Sequence, residues 1–160
     1  MQTVDRIINS KWIITCESKN RILEDHSMVL QDGKILEILP TEAAKQKYKA
    51  DSVENYATHA ITPGFINSHT HMGMSYLRGY ADDLALMDWL NDHMWPAEKR
   101  WVSAEFVKDA TEFGIAELIR SGSTCFNDMY FFMHDAAAAA EKAGIRAHIG
   151  ATHNLPNKLG

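Results

Sequence analysis

Apolar positions come in short alternating runs through the first third of the chain and in longer helical stripes after it. Residues 4–15 alternate imperfectly around Val4, Ile7, Ile8, Trp12, Ile13 and Ile14. That pattern predicts one strand, or a strand pair turned near Asn9-Ser10. Residues 17–25 read as polar loop. Residues 27–30 and 34–39 predict two strands joined through Gln31-Asp32-Gly33, where Asp-Gly is a strong hairpin signal. Pro40 closes that pair, and Thr41 is placed to cap a short helix over 42–48 with Glu42 and Lys45 one turn apart. Val53, Tyr56 and Ala57 return to sheet. Residues 1–60 therefore predict a small β module, a β-sandwich by size, with no chemistry of its own.

From residue 61 the texture changes. Ile61, Thr62, Phe65 and Ile66 predict a short buried strand interrupted by Pro63-Gly64, and it runs out in Asn67-Ser68-His69-Thr70-His71. Gly73, Gly79 and Asp82-Asp83 mark a polar surface connection. Leu84, Leu86, Met87, Leu90 and Met94 form a helical face that Pro96 should interrupt. Ser103 opens a helix of about four turns through Val107, Ala110, Thr111, Gly114, Leu118 and Ile119, closed by Gly122. The acceptor of a full capping box is missing, because Phe106 occupies its place. Residues 123–126 predict a second strand, 133–143 an alanine-rich helix closed by Gly144, and 145–149 a third strand. Strand, helix, strand, helix, strand at this spacing is the signature of successive βα units in a parallel α/β domain.

Composition narrows the class. The 160 residues are 46% hydrophobic and 23% charged, which is ordinary globular content. A net charge of −5 provides no basic surface for nucleic acid or anionic lipid. No stretch reaches the roughly 20 apolar residues of a membrane span. Cys16 and Cys125 lie far apart, which fits a reducing cytoplasm better than a disulfide framework.

The candidate chemistry starts at His69 and His71. Two residues apart on extended backbone, their rings leave one face together, and two imidazoles at a strand end make half of a metal site. Two surface histidines in a turn would show the same spacing. The preceding strand favours the metal reading, because barrel active sites lie at the carboxy-terminal ends of strands. No nearby cysteine or histidine pair completes a closed tetrahedral site, which argues against a structural zinc finger. Glu98, just after Pro96, reads either as a solvated residue at a helix start or as a functional carboxylate. Asp128 sits at a strand end, where a structural or supporting role is expected. Trp89 and Trp95 read as packing residues or as walls of a purine pocket, with packing favoured, and Arg78 and Arg146 as ion-pair partners or substrate contacts.

Residues 61–71, preceded by the hairpin module, resemble the opening of the amidohydrolase superfamily of metal-dependent hydrolases. The nearer resemblance is to its methylthioadenosine/S-adenosylhomocysteine deaminase branch. It is carried by Pro63-Gly64-Phe65-Ile66-Asn67-Ser68-His69-Thr70-His71, then Leu77-Arg78-Gly79, Trp89-Leu90 and Trp95-Pro96-Ala97-Glu98, and finally by 122–130 from Gly122 to Asp128-Met129-Tyr130. The resemblance implies an N-terminal composite domain over 1–60, followed over 61–160 by the first three βα units of an incomplete TIM barrel. It implies that His69 and His71 are metal ligands for one divalent ion, zinc or iron, and that Glu98 is substrate-binding, accepting ribose hydroxyls. The implied reaction is hydrolytic deamination of a purine nucleoside-like substrate by metal-activated water, in a homo-oligomer without nucleic-acid or membrane partners.

A complete barrel takes about 250 residues, and 61–160 holds about three of its eight units. The third metal histidine, the proton-shuttling glutamate and the aspartate ligand of such enzymes find no place in this chain, so no catalytic residue is assigned and the chain alone is expected to be inactive. Residues 153–160 depart from the resemblance, and His153 is not taken as a ligand. The alternatives are another amidohydrolase, such as a guanine deaminase or an s-triazine chlorohydrolase, and a non-catalytic fragment or binding module.

Overall fold

A computed structural model describes residues 1–17 and 21–151. Residues 153–160, expected to form an atypical tail, lie outside the described residues. Contacts divide the chain into two compact units, Met1–Pro63 and Gly64–Gly160.

The first unit is a four-stranded sheet of β1 (Gln2–Ile14), β2 (Ile22–Gln31), β3 (Lys34–Pro40) and β4 (Tyr48–Ile61), in the order β3-β2-β1-β4. The β1/β2 and β2/β3 pairs are antiparallel, and β1 and β4 are parallel. Asp32 and Gly33 both take positive φ (52° and 71°), as a two-residue I′ hairpin requires. Val4, Ile7, Val29 and Tyr48 form the core, with Leu39 and Ala50 against it.

Of the two readings of residues 4–15 the single strand holds, and two other local expectations change. β1 runs straight through Asn9-Ser10, because both polar side chains find cross-strand partners: Asn9 bonds Asn55 at 2.8 Å and Ser10 Oγ bonds the His59 carbonyl at 2.9 Å. β2 starts inside the expected loop, where Ile14 pairs with Ile22 and Ile13 with Leu23. Thr41 is the first residue of α1 (Thr41–Lys47) rather than its cap, and its hydroxyl accepts from Ser27 Oγ at 3.1 Å. The Glu42–Lys45 pair forms at 2.6 Å.

The second unit carries β5 (Phe65–Thr70), β6 (Ser123–Tyr130) and β7 (Arg146–Ala151) as a parallel sheet in the order β5-β6-β7. Among the described residues this sheet is open, as befits an incomplete barrel. Between β5 and β6 come a 3-10 turn (Met72–Leu77) and a helical segment of α2 (Leu86–Asp88), a π-turn (Trp89–Met94) and α3 (Trp95–Trp101), then α4 (Ala104–Arg120); α5 (Met133–Ala143) joins β6 to β7. Ser103 caps α4 by accepting from the Phe106 amide at 3.1 Å. Gly122 and Gly144 take positive φ just past their helices (84° and 71°). On one face of β6, Phe126 packs with Met72, Ile115, Ala139 and Ala140, and Tyr130 packs with Val107, Met133 and Ala136.

The expected burial of β5 does not hold. Phe65 is 63% and Ile66 71% exposed, because among the described residues β5 is an edge strand with a neighbour on one side only. The expected surface connection after His71 instead opens on the 3-10 turn, with Met72, Gly73 and Leu77 buried. Nor does Pro96 break the helical segment. It sits in the first turn of α3, and the ladder widens to a π-turn just before it, where the missing N–H would have donated. No helix among the described residues is long and apolar enough to cross a membrane.

Candidate metal centre

The site begins with a flaw in strand pairing. β5 follows β6 in register as Ile66↔Cys125 and Asn67↔Phe126, then slips to Thr70↔Asp128. Such a bulge re-aims the side chains after it. Thr70 turns to the helix-covered side, where its hydroxyl donates to Asp128 Oδ1 at 2.9 Å and also lies 2.9 Å from the Asn127 carbonyl. His69 and His71, on either side of it, leave by the other face.

The two rings stand edge to face with centroids 4.9 Å apart, and their Nε2 atoms are 3.2 Å apart. His71 Nδ1 lies 2.6 Å from the Met129 carbonyl. A carbonyl only accepts, so Nδ1 carries the proton, and the Nε2 of a neutral His71 presents its lone pair. His69 Nε2 either donates to that lone pair or shares a cation with it. The spacing fits the second case: an ion about 2.05 Å from each nitrogen would subtend roughly 100°, close to tetrahedral. The chemistry of the donors fits a borderline ion such as zinc or iron. The pair provides two ligands; among the described residues no group of three or more His, Cys, Asp and Glu side chains converges to hold a metal.

Behind the pair sits Asp128, 1% exposed. Its Oδ1 accepts from Thr70 Oγ1 and from the Met72 amide at 3.0 Å, the two groups that flank His71. Burial pushes its carboxyl above the usual aspartate range, against the pull of those bonds and of His71.

Glu98, in the first turn of α3, is buried at 7% exposure rather than solvated. Tyr130, at the end of β6, donates to its Oε1 at 2.7 Å, and the Tyr130 ring centroid is 6.5 Å from that of His71. Burial raises the Glu98 carboxyl, while the Tyr130 bond and the charge of His71 lower it. Burial and that same bond push the Tyr130 hydroxyl far up, so it remains a donor. Tyr130 thus links the imidazole pair to the buried carboxylate. Gly73 is required by this arrangement, because a Cβ there would lie 2.7 Å from Tyr130 Cε1.

Reasoning from the sequence missed Tyr130 and Thr70. The available signal was the alternation of Phe126, Asp128 and Tyr130 along one strand face, which puts two polar groups where only apolar ones pack comfortably. Arg78 is held by Glu117 on α4 through bonds of 3.2 and 2.6 Å, which makes it an ion-pair partner.

The amidohydrolase family model matches residues 60–155. The chain belongs to the amidohydrolase family. Within that family it is 44% identical over 145 residues to a 5-methylthioadenosine/S-adenosylhomocysteine deaminase of Saccharophagus degradans, covering 91% of this chain and 32% of the relative. It is 41% identical to a 5'-deoxyadenosine deaminase of Methanosarcina barkeri, with 91% and 32% covered. Among solved structures, an adenosine deaminase from Xanthomonas campestris with bound zinc superposes with a TM-score of 0.88 at 39% identity, covering 91% of this chain and 33% of that one. The chain spans about a third of the length of the curated relatives it matches.

Proposed function

We propose that these residues form the opening of a metal-dependent hydrolase of carbon–nitrogen bonds other than peptide bonds, one that deaminates 5-methylthioadenosine- or S-adenosylhomocysteine-like purine nucleosides. Residues 1–60 would be its composite domain and 61–160 its first three βα units. The observation that carries the reading is the convergence of His69 and His71 through Nε2, with His71 locked in the right tautomer by Met129. His69 and His71 would hold one divalent ion, zinc or iron, and Glu98 would bind the substrate. Such an ion, when bound, supplies Lewis acidity toward water and the amine-bearing ring carbon.

The chain's own residues prepare the rest. Met129 fixes the His71 tautomer and so keeps the Nε2 lone pair of that ring available. Tyr130 keeps the Glu98 carboxylate in one orientation, and an ionised carboxylate there suits the vicinal hydroxyls of a ribose. Turnover is assigned to the protein that supplies the remaining ligands and proton carriers, with the 160 residues alone turning over little or none.

The first test is the intact mass of the product of the native locus, read with the coding sequence past residue 160. That polypeptide is then assayed for ammonia release from methylthioadenosine and S-adenosylhomocysteine. Release that depends on added zinc or iron, with Glu98→Gln raising KM for ribosides, is the expected result. Equal turnover of a free purine base and its riboside would remove Glu98 from the substrate site, and metal-independent turnover would remove the histidine pair.

A further inference from the structure

The histidine pair is supported from behind by one residue that no part of the proposed chemistry uses directly. Asp128 lies near the end of β6, 1% exposed, on the face packed by α4 and α5. A carboxylate is an expensive group to bury there, and its Oδ2 accepts no hydrogen bond among the described residues. Apolar residues would hold β6 to the helices at least as well, so packing does not explain an aspartate at this position. Its contacts do. Oδ1 gathers the Thr70 hydroxyl at 2.9 Å and the Met72 amide at 3.0 Å, the residues immediately before and after His71. The next residue of the same strand, Met129, accepts from His71 Nδ1 at 2.6 Å. Residues 70, 71 and 72 are therefore each tied to β6, through Asp128 or Met129.

The bulge makes this tie necessary. Register with β6 is lost between Asn67 and Thr70, so regular ladder pairing does not fix Ser68 and His69. Thr70 regains register opposite Asp128, and the bond between their side chains sets the point of recovery. Without it the segment from His69 to Met72 could slide by a residue, which would carry both rings to the other face of the sheet and away from the site.

We infer that Asp128 is a positioning residue for the metal site, holding the backbone on both sides of His71 so that the two Nε2 atoms converge on one cation. This rests on the proposed metal reading of His69 and His71, and it assigns Asp128 a role without placing it on the ion.

The test is a Co²⁺ titration of the chain, followed by visible absorption, with folding checked by circular dichroism in the same samples. Asp128→Ala removes the acceptor for both bonds, and its cobalt affinity should fall by about tenfold or more, the usual cost of losing an outer support of a metal ligand. Asp128→Asn keeps an oxygen at the Oδ1 position and buries an amide at Oδ2. It should lose thermal stability yet bind cobalt within about threefold of the parent. A residue that only supported the fold would make affinity follow stability across the two variants. Parent-like binding by Asp128→Ala, or a loss in Asp128→Asn as large as in Asp128→Ala, would overturn the inference. Should Asp128→Ala fail to fold, Thr70→Val against Thr70→Ser decides: the valine variant should bind weakly and the serine variant like the parent, and equal affinities would overturn it. Failure of the metal reading shows separately, as a parent that takes up no cobalt or a His69→Ala/His71→Ala chain that still takes up one equivalent.

Discussion

Tyr130 donates its phenolic hydrogen to Glu98 Oε1 across 2.7 Å, joining the end of β6 to the first turn of α3 inside the second unit. Both partners are buried, at 7% exposure each. The bond fixes the direction of a carboxylate that the helix alone would leave free to rotate. Removing the hydroxyl strips a buried acceptor of a charge-assisted bond, so Tyr130→Phe should destabilise the chain by about 1.5–3 kcal/mol. Urea unfolding measures this directly. A midpoint unchanged from the parent would mean that the bond contributes nothing to the fold.

The protonation of Glu98 should leave a mark on stability against pH. Burial raises its folded-state pKa above the ordinary 4.5. Between those two values the native state holds more protons than the unfolded state, so stability falls as pH rises through that window. Glu98→Gln removes this contribution. Relative to the parent, its thermal midpoint should therefore improve as pH rises from about 4.5 through the raised folded-state range. A constant offset across that range would show that burial does not raise the carboxyl.

Gly73 tests how closely the 3-10 turn lies on Tyr130. A Cβ at Gly73 would fall on the Tyr130 ring, 2.7 Å from Cε1, and the ring is anchored at its far end by Glu98. A Cβ at Gly114 on α4 would meet Met72 Cε at 2.6 Å, the free end of a flexible side chain, and Ser75 Oγ at 2.9 Å. Gly73→Ala should cost about 1–3 kcal/mol in denaturant unfolding, and Gly114→Ala less, because methionine can repack and an anchored ring cannot. The reverse order would show that the Tyr130 ring yields easily.

Metal uptake is the most direct check on the imidazole pair. The 3.2 Å separation of the Nε2 atoms is compatible with one shared ion. Replacing both His69 and His71 with alanine should abolish stoichiometric zinc uptake, read as metal content after dialysis. Unchanged content in the double variant would assign the two rings to the hydrogen-bonded pair alone. Uptake should also weaken in acid, since each imidazole must be neutral to ligate.

Local chemistry made much of this protein legible before its fold was known. The Asp32-Gly33 hairpin, the Ser103 cap, α4, α5 and the glycines that close them follow from interactions within a few residues, and those are written directly in the order of side chains. The His69-Thr70-His71 spacing likewise carried the candidate site, because extended backbone sends alternate residues the same way. Tertiary structure decided what depends on a distant neighbour. Asn9-Ser10 stays extended because Asn55 and the His59 carbonyl lie across from it, and Phe65 and Ile66 are exposed because β5 has a partner on one side only among the described residues. The register slip opposite β6, the pairing of Asp128 with Thr70 and Met72, and the burial of Glu98 under Tyr130 belong to the same class. Each depends on which strand or helix arrives alongside, and a residue's own sequence neighbours carry no record of that.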